Sequence, residues 1–345
     1  MSDDGAARPP AAVLLELAQG FMMAKALQVA ATLGIADLVA DGPRSVADLA
    51  TATKTDERSL GRLLRALAGR GIFRSELDAG GGDALYGNTA GSEPLRTDVP
   101  GSVRDYVTFV AHDGNLAAWT ELDEVVRTGE PSFERVNGLV LWEYLAAHPD
   151  LELGFNRAMT TLSEMAIPQI LAGCDFSRFG SVADIGGGEG RLLAAILESN
   201  PGMTGTLFDL PTAVDAATRY LASRGLADRT TVVDGDLFTS IPPGHDAYVL
   251  KHILHDWSDD RALDILRVCR RATGPGSRLV IVDAVMEPGD APHPSKWLDL
   301  HMMVVLGGRE RTPADFATLL DAAGFALVSA TPLPGMAGVV EAEPV

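Results

Sequence analysis

The sequence predicts an α/β protein. A Rossmann-like parallel sheet fills the C-terminal part of the chain, and a mostly helical, winged-helix-like domain precedes it. Three observations carry this prediction. From residue 181 onward, short apolar runs ("SVADIGGGEG", "TGTLFDLP", "TTVVDGDLF", "DAYVLKHILHDW", "SRLVIVDAVM") alternate with helical segments ("RLLAAILESN", "TAVDAATRYLASRG", "DDRALDILRVCRRA", "TPADFATLLDAAG"). Strand alternating with helix implies right-handed crossovers and a sheet covered on both faces. Residues 45–76 read as helix, turn, helix and wing. The closing stretch, "FALVSATPLPGMAGVVEAEPV", gives two strands around a Pro/Gly turn with no helix between, so one edge strand should be antiparallel.

Taken in order, residues 11–33 show apolar residues at helical spacing and predict one long helix with little polar surface. Such a helix needs cover, and a partner subunit is a plausible source of it. Ser45 and Asp56 are placed to cap the next two helices, which Gly69 and Gly71 close before Ile72 and Phe73. A DNA-binding reading would rest on Arg58, Arg62, Arg65 and Arg70. The formal charge of −19 opposes it, because a polyanion is repelled, and the same holds for an anionic membrane surface. A low-complexity tract, "DAGGGD", occupies 78–83. Residues 102–172 read as mostly helical, with Trp142, Tyr144, Phe155, Met159 and Met165 at helical intervals.

Bulk features fit a globular protein: 46% apolar and 22% charged residues. Cys174 and Cys269 lack metal-ligand spacing and read as free buried thiols. The start, "MSDDGAARPP", is acidic where a secretion signal would be basic, and polar residues interrupt the apolar stretch 11–40. A cytoplasmic protein is expected.

The most specific signal is "VADIGGGEGRLLAAI" at 182–196. A strand ending at Asp184 meets glycines 186, 187, 188 and 190, then a helix. The dinucleotide spacing GxGxxG fails, since Arg191 and Leu193 stand where the third glycine would fall. What remains is DxGxGxG with Asp184 and Glu189 at the loop. Acids there suit a cationic or amine-bearing ligand, not a pyrophosphate. Asp209 ends the second strand, where an acid can bond both ribose hydroxyls. Asp236 ends the third, where it can accept from an adenine amino group. A nucleoside carrying an amino acid and a sulfonium fits all three.

These motifs, in this order, resemble the S-adenosylmethionine-dependent small-molecule O-methyltransferases of the plant phenolic and bacterial natural-product type. The resemblance rests on "DIGGGEG", "FDLP", "GDLF", "LKHILHDW" and "GGRERT" and covers nearly the whole chain. It implies a class I methyltransferase sheet of seven strands with the last hairpin antiparallel. It also implies a winged-helix-like dimerisation domain at 1–101, a catalytic domain at 102–345 whose segment 102–172 lines the acceptor pocket, and a homodimer. Carried across, Asp184, Gly186, Gly188, Asp209, Leu210, Asp236, Leu237, Lys251 and Ser163 would hold S-adenosylmethionine. His255 matches the general base, Asp256 lies beside it, and Asp283 and Glu310 match the acids that orient the base and substrate. Plant relatives often carry Glu at the position of Asp283. Phe155, Met159, Met302, Met303, Trp142, Trp119 and His112 would line the acceptor pocket, and His301 is an unusual residue in that stretch.

The implied reaction is an in-line SN2 transfer to a hydroxyl, expected to be phenolic, with a near-neutral histidine as base. No His/Asp cluster with ligand spacing is evident along the chain, so no metal is expected. Transfer to nitrogen or carbon, or drift to hydroxylation or decarboxylation, is the competing reading. His255 at the base position argues for methyl transfer.

Overall fold

The structure is a computed structural model that describes residues 9–77 and 84–345. The "DAGGGD" tract and the first eight residues lie outside the described residues. The chain divides into two compact units: Met1–Leu116 with His148–Thr161, and Ala117–Ala147 with Leu162–Val345.

The first unit opens with two helices where the apolar periodicity predicts one. Pro10–Ala18 and Gly20–Thr32 meet at a 44° bend at Gln19. The glycine that follows has the weakest helix propensity of any residue but proline, and the break falls beside it. Leu14, Leu15, Leu17 and Phe21 project outward, each about two-thirds exposed. No single helix among the described residues is long and apolar enough to cross a membrane; the bent pair reaches that length only taken together.

Next come β1 (Arg44–Ser45), a helix at Val46–Thr53, a second at Glu57–Ala68, β2 (Phe73–Leu77) and β3 (Ala84–Asn88). Ser45 caps the first helix by accepting from the Asp48 amide at 3.1 Å. Asp56 caps the second by accepting from the Ser59 amide at 2.8 Å. The three strands form an antiparallel sheet in the order β1-β3-β2, which completes the winged-helix pattern. Helix Glu57–Ala68 buries Leu60, Leu64 and Leu67 against Ile35, Leu49, Phe73 and Tyr86. Its spacing of four and three residues makes one apolar stripe. Arg70, one of the arginines a DNA reading would need, donates instead to Glu16 at 2.6 Å.

The second unit is built on a seven-stranded sheet: β4 (Ser181–Ile185), β5 (Thr204–Asp209), β6 (Thr230–Asp234), β7 (Ala247–Lys251), β8 (Arg278–Val282), β9 (Phe325–Pro332) and β10 (Gly338–Pro344). Their order is β6-β5-β4-β7-β8-β10-β9. Alternate residues of each strand feed two cores. Ala183, Ile185, Tyr248, Leu250, Leu279 and Ile281 pack under helices Asp259–Ala272 and Pro313–Ala322. Val182, Ala247, Val249, Val280 and Val282 pack under helices Arg191–Ser199 and Pro211–Ser223. Both faces are covered, as a parallel sheet requires.

The final hairpin differs from the expectation in one respect. The antiparallel strand is β10, and it lies inside the sheet between β8 and β9, not at the edge. Its Val339, Val340 and Ala342 are fully buried, whereas β9 exposes Val328. The inner strand is the more buried of the two, although the outer one, FALVSATP, carries more apolar residues than GVVEAEP. Two strand ends also move: β4 runs on to Ile185, and Asp236 stands two residues beyond the end of β6.

Candidate active site

Strand order reverses between β4 and β7, so a crevice opens beyond their C-terminal ends. Asp184, Asp209, Lys251, His252, His255 and Asp283 all lie at or just past the C-terminal ends of β4, β5, β7 and β8.

The glycine loop follows β4. Gly186, Gly188 and Gly190 have φ of 70°, 56° and 80°, a region that side chains rarely adopt. A Cβ on Gly186 would collide with Ile253, while one on Gly188 would meet open space. Gly188 also donates its amide to Asp209 Oδ2 at 2.7 Å, and Leu210 donates to Oδ1 at 2.6 Å. Asp209 is therefore fixed in orientation and half-buried. Burial pushes it above its usual value, against those two amide bonds. Asp184 is fully buried with Oδ2 unpartnered. Burial lifts it to about 7, although Lys251 pulls the other way. Burial lowers Lys251, and its Nζ donates to Ser163 Oγ at 2.8 Å. Asp236 accepts from the Phe238 amide at 2.9 Å, Leu210 is exposed, and Leu237 is half-buried.

His255 sits in a single 3₁₀ turn, Leu254–Asp256, after β7. Its Nδ1 lies 2.8 Å from Glu310 Oε1, a fully buried carboxylate. Its Nε2 lies 3.4 Å from Asp256 Oδ1. Burial works against a charged imidazole, but Asp256, Glu310 and Asp283 outweigh it and raise His255 to about 10. The near-neutral histidine expected from the sequence is thus corrected: three carboxylates from separate segments converge on it. Burial in turn lifts Asp256 and Asp283 to about 6.

The segment "GGRERT" carries Glu310 and locks this turn. A Cβ on Gly308 would overlap the His255 carbonyl, so only glycine allows the approach. Arg309 donates its amide to that carbonyl at 3.0 Å, and Glu310 donates its amide to Asp299 Oδ1 at 2.8 Å. Arg311, 1% exposed, donates to the carbonyls of Leu254 (2.8 Å) and Trp257 (3.0 Å) and to Asp259 Oδ1 (2.9 Å). This clamp was not singled out from the sequence, where arginine reads as a surface residue; its place inside "GGRERT" was the available signal.

His252 was also missed. It has φ of 53°, unusual for a residue with a side chain, and its ring centroid stands 5.1 Å from that of His255. His252, His255 and Asp283 each offer a ligand atom, all within 4.8 Å of one another. The linear sequence hides this cluster because Asp283 arrives from the next strand. Buried unpartnered atoms concentrate at this end of the sheet: Asp184 Oδ2, His252 Nδ1, both Asp283 oxygens and Glu310 Oε2. Buried polar atoms without partners are rare, and several in one crevice mark a ligand site.

The acceptor-pocket candidates fall in both units. His112, Phe155 and Met159 belong to the first, where Phe155 packs on Phe109 at 4.9 Å. His112 Nδ1 accepts from the Gly114 amide. Trp119, Trp142, Met302 and Met303 belong to the second. Trp142 is 41% exposed, Met302 is buried and Met303 half-buried. Trp119 Nε1 donates to His301 Nδ1 at 3.0 Å, and burial lowers His301 to about 4. That neutral ring therefore keeps its proton on Nε2. Cys174 and Cys269 are buried and unpaired.

Comparison with known proteins places the chain in a family. The O-methyltransferase domain matches residues 119–326, and the O-methyltransferase dimerisation domain matches residues 15–98. The phenazine O-methyltransferase PhzM of Lysobacter antibioticus is 40% identical, covering 98% of this chain and 97% of that protein. The chain belongs to the O-methyltransferase family. Another relative of this methyltransferase, at 40% identity over 91% of the chain and 90% of its own length, is an 8-amino-8-demethylriboflavin N,N-dimethyltransferase of Streptomyces davaonensis. Among solved structures, the O-methyltransferase NcsB1 of neocarzinostatin biosynthesis, in complex with S-adenosylmethionine and 2-hydroxy-5-methyl naphthoic acid, superposes with a TM-score of 0.82. It is 35% identical and covers 94% of this chain and 96% of its own. This methyltransferase therefore uses S-adenosylmethionine. Its residues fit that group: the space at Gly188, the unpartnered oxygen of Asp184 and the acids of the loop make a cradle for a cationic nucleoside.

Proposed function

We propose that this methyltransferase transfers a methyl group from S-adenosylmethionine to a phenolic hydroxyl of a small aromatic natural product, with His255 as general base. The observation that carries the reading is the buried pair of His255 Nδ1 and Glu310 Oε1 at 2.8 Å. An ionised carboxylate can only accept, so Nδ1 donates and the neutral imidazole presents a bare Nε2.

In this reading Asp184, Gly186, Gly188 and Asp209 bind the donor, with Asp236, Leu237, Leu210, Lys251 and Ser163 around it. When bound, S-adenosylmethionine supplies an electrophilic methyl on a sulfonium. His255 takes the acceptor's proton at Nε2. Asp256 and Glu310 hold the resulting imidazolium, and Asp283 adds to their field. An imidazole raised to about 10 matches the ordinary phenol value of about 10, so the transfer costs little. His255 also gives up its resting proton more readily once a sulfonium charge stands beside it, because like charges lower a histidine's pKa. Orienting the oxygen in line with the methyl group is worth about 7–11 kcal/mol, and the base about 10²–10⁴-fold.

Met302, Met303, Trp119 and Trp142 of the second unit contact the acceptor in this reading, and methionines adapt readily to flat rings. The active form is a homodimer joined through the first unit; its exposed apolar helix and the match to the dimerisation domain support this. Transfer to an arylamine nitrogen is the second reading, favoured by the N,N-dimethyltransferase relative. The test is a panel of phenols and arylamines assayed with methyl-labelled S-adenosylmethionine. Label on phenol oxygen supports the proposal; label only on amines replaces it with the second reading, and no transfer to either class overturns both.

A further inference from the structure

We infer that His252, His255 and Asp283 form a site for a divalent transition-metal ion of the zinc type, and that metal held there blocks methyl transfer. The blocking step rests on the proposed role of His255; the site itself does not. Two imidazoles and one carboxylate are a zinc ligand set, and three protein ligands leave a fourth position open to the crevice. Their ligand atoms already lie within 4.8 Å of one another. Zinc bonds near 2.0–2.1 Å place tetrahedral ligands about 3.3 Å apart, so side-chain adjustments of about an ångström close the site.

The present partners do not explain these groups. His252 Nδ1 and both Asp283 oxygens are buried and without hydrogen bonds. His252 Nδ1 stands 4.0 Å from Asp283 Oδ1, beyond hydrogen-bond reach but suited to a shared cation. Glu310 supplies the supporting carboxylate. By accepting the Nδ1–H of His255 at 2.8 Å, it leaves the Nε2 lone pair to bind metal, the arrangement that commonly backs a zinc-bound histidine. Asp256 adds negative charge at 3.4 Å from Nε2. Lys251, the nearby cation, is tied to Ser163. Binding forms two nitrogen–metal bonds and one oxygen–metal bond and releases any His255 proton to solvent. The lone pair then held by metal is the one that would take the acceptor's proton.

The test uses full-length protein without a histidine tag, stripped of metal with EDTA. Zinc is titrated by calorimetry, and cobalt(II) serves as a visible-absorption probe of tetrahedral ligation. One zinc per chain and a cobalt band are expected. Glu310→Gln should weaken binding about 10–100-fold, as loss of a supporting carboxylate does, and His252→Asn and Asp283→Asn by more. Asparagine suits the left-handed backbone at 252. Heat of S-adenosylhomocysteine binding certifies that each variant is folded, and of the two ligand variants, His252→Asn and Asp283→Asn, either alone reads the site. Absence of a saturable zinc heat and a cobalt band, or unchanged affinity in both variants, overturns the site. Zinc should also abolish turnover with donor affinity retained, and in His252→Asn it should no longer do so relative to that variant's own metal-free rate. Metal bound with turnover intact overturns the blocking claim and the base assignment together, while leaving the site established.

Discussion

Replacing Asp283 by Asn should make the protein more stable and less active. Asp283 is 1% exposed, and neither oxygen has a hydrogen-bond partner. Burial is the main reason that it is raised from 3.8 to about 6. A raised carboxyl contributes stability below its unfolded value, and that contribution disappears as pH rises through the folded value. The shift of about two units corresponds to a cost of about 3 kcal/mol once the group is ionised in both states, as at pH 7.5. At pH 5 the cost is about half as large, because the folded form still holds its proton. Asparagine removes the charge at nearly equal volume, but its amide needs partners of its own, so a net gain of about 1–3 kcal/mol is expected at pH 7.5. For a unit of this size that is roughly 2–6 °C in Tm. Differential scanning calorimetry of both proteins between pH 5 and 8 measures it, with turnover recorded alongside. A lower Tm for Asp283→Asn at pH 7.5, or a difference that grows on acidification, would refute the reasoning.

Other perturbations probe the rest of the site. If His255 is the base, as proposed, kcat/KM of the wild-type enzyme should rise with pH toward an apparent midpoint well above that of an ordinary histidine, since the base works only when neutral and its neighbours raise it to about 10. Glu310→Gln removes one of those charges, so pH-rate profiles should show a lower midpoint and a plateau reduced by roughly 10²–10⁴-fold. Arg311→Met strips the donors from the Leu254 and Trp257 carbonyls; denaturant melts should show a loss of about 2–4 kcal/mol, discounted because Asp259 remains hydrated. Joint replacement of Leu14, Leu17 and Phe21 by Asp places charge on the exposed apolar helix, and light scattering should then report monomers in place of dimers.

Much of this was legible in the sequence because it is local. The alternation of strand and helix, the caps at Ser45 and Asp56, and the glycine loop each depend on neighbours within a few residues. What sequence reading missed depends on adjacency in space. The helix predicted at 11–33 bends at Gln19, where one glycine outweighs the periodicity around it. Placement of β10 inside the sheet is set by its pairing with β8, which composition does not signal because β9 carries the more apolar residues. Arg311 is buried only because three carbonyl and carboxylate acceptors from another segment surround it. His252 and Asp283 meet across neighbouring strands, and the convergence of three acids on His255 is what moves its proton affinity upward.

The most direct measurement is paired calorimetry and turnover for His255→Ala. S-adenosylmethionine should bind with near wild-type affinity, since the proposal assigns its binding to the loop acids and not to the imidazole, while methyl transfer falls by about 10²-fold or more. Full turnover in that variant would contradict the account, as would a loss of donor binding large enough to explain the lost rate.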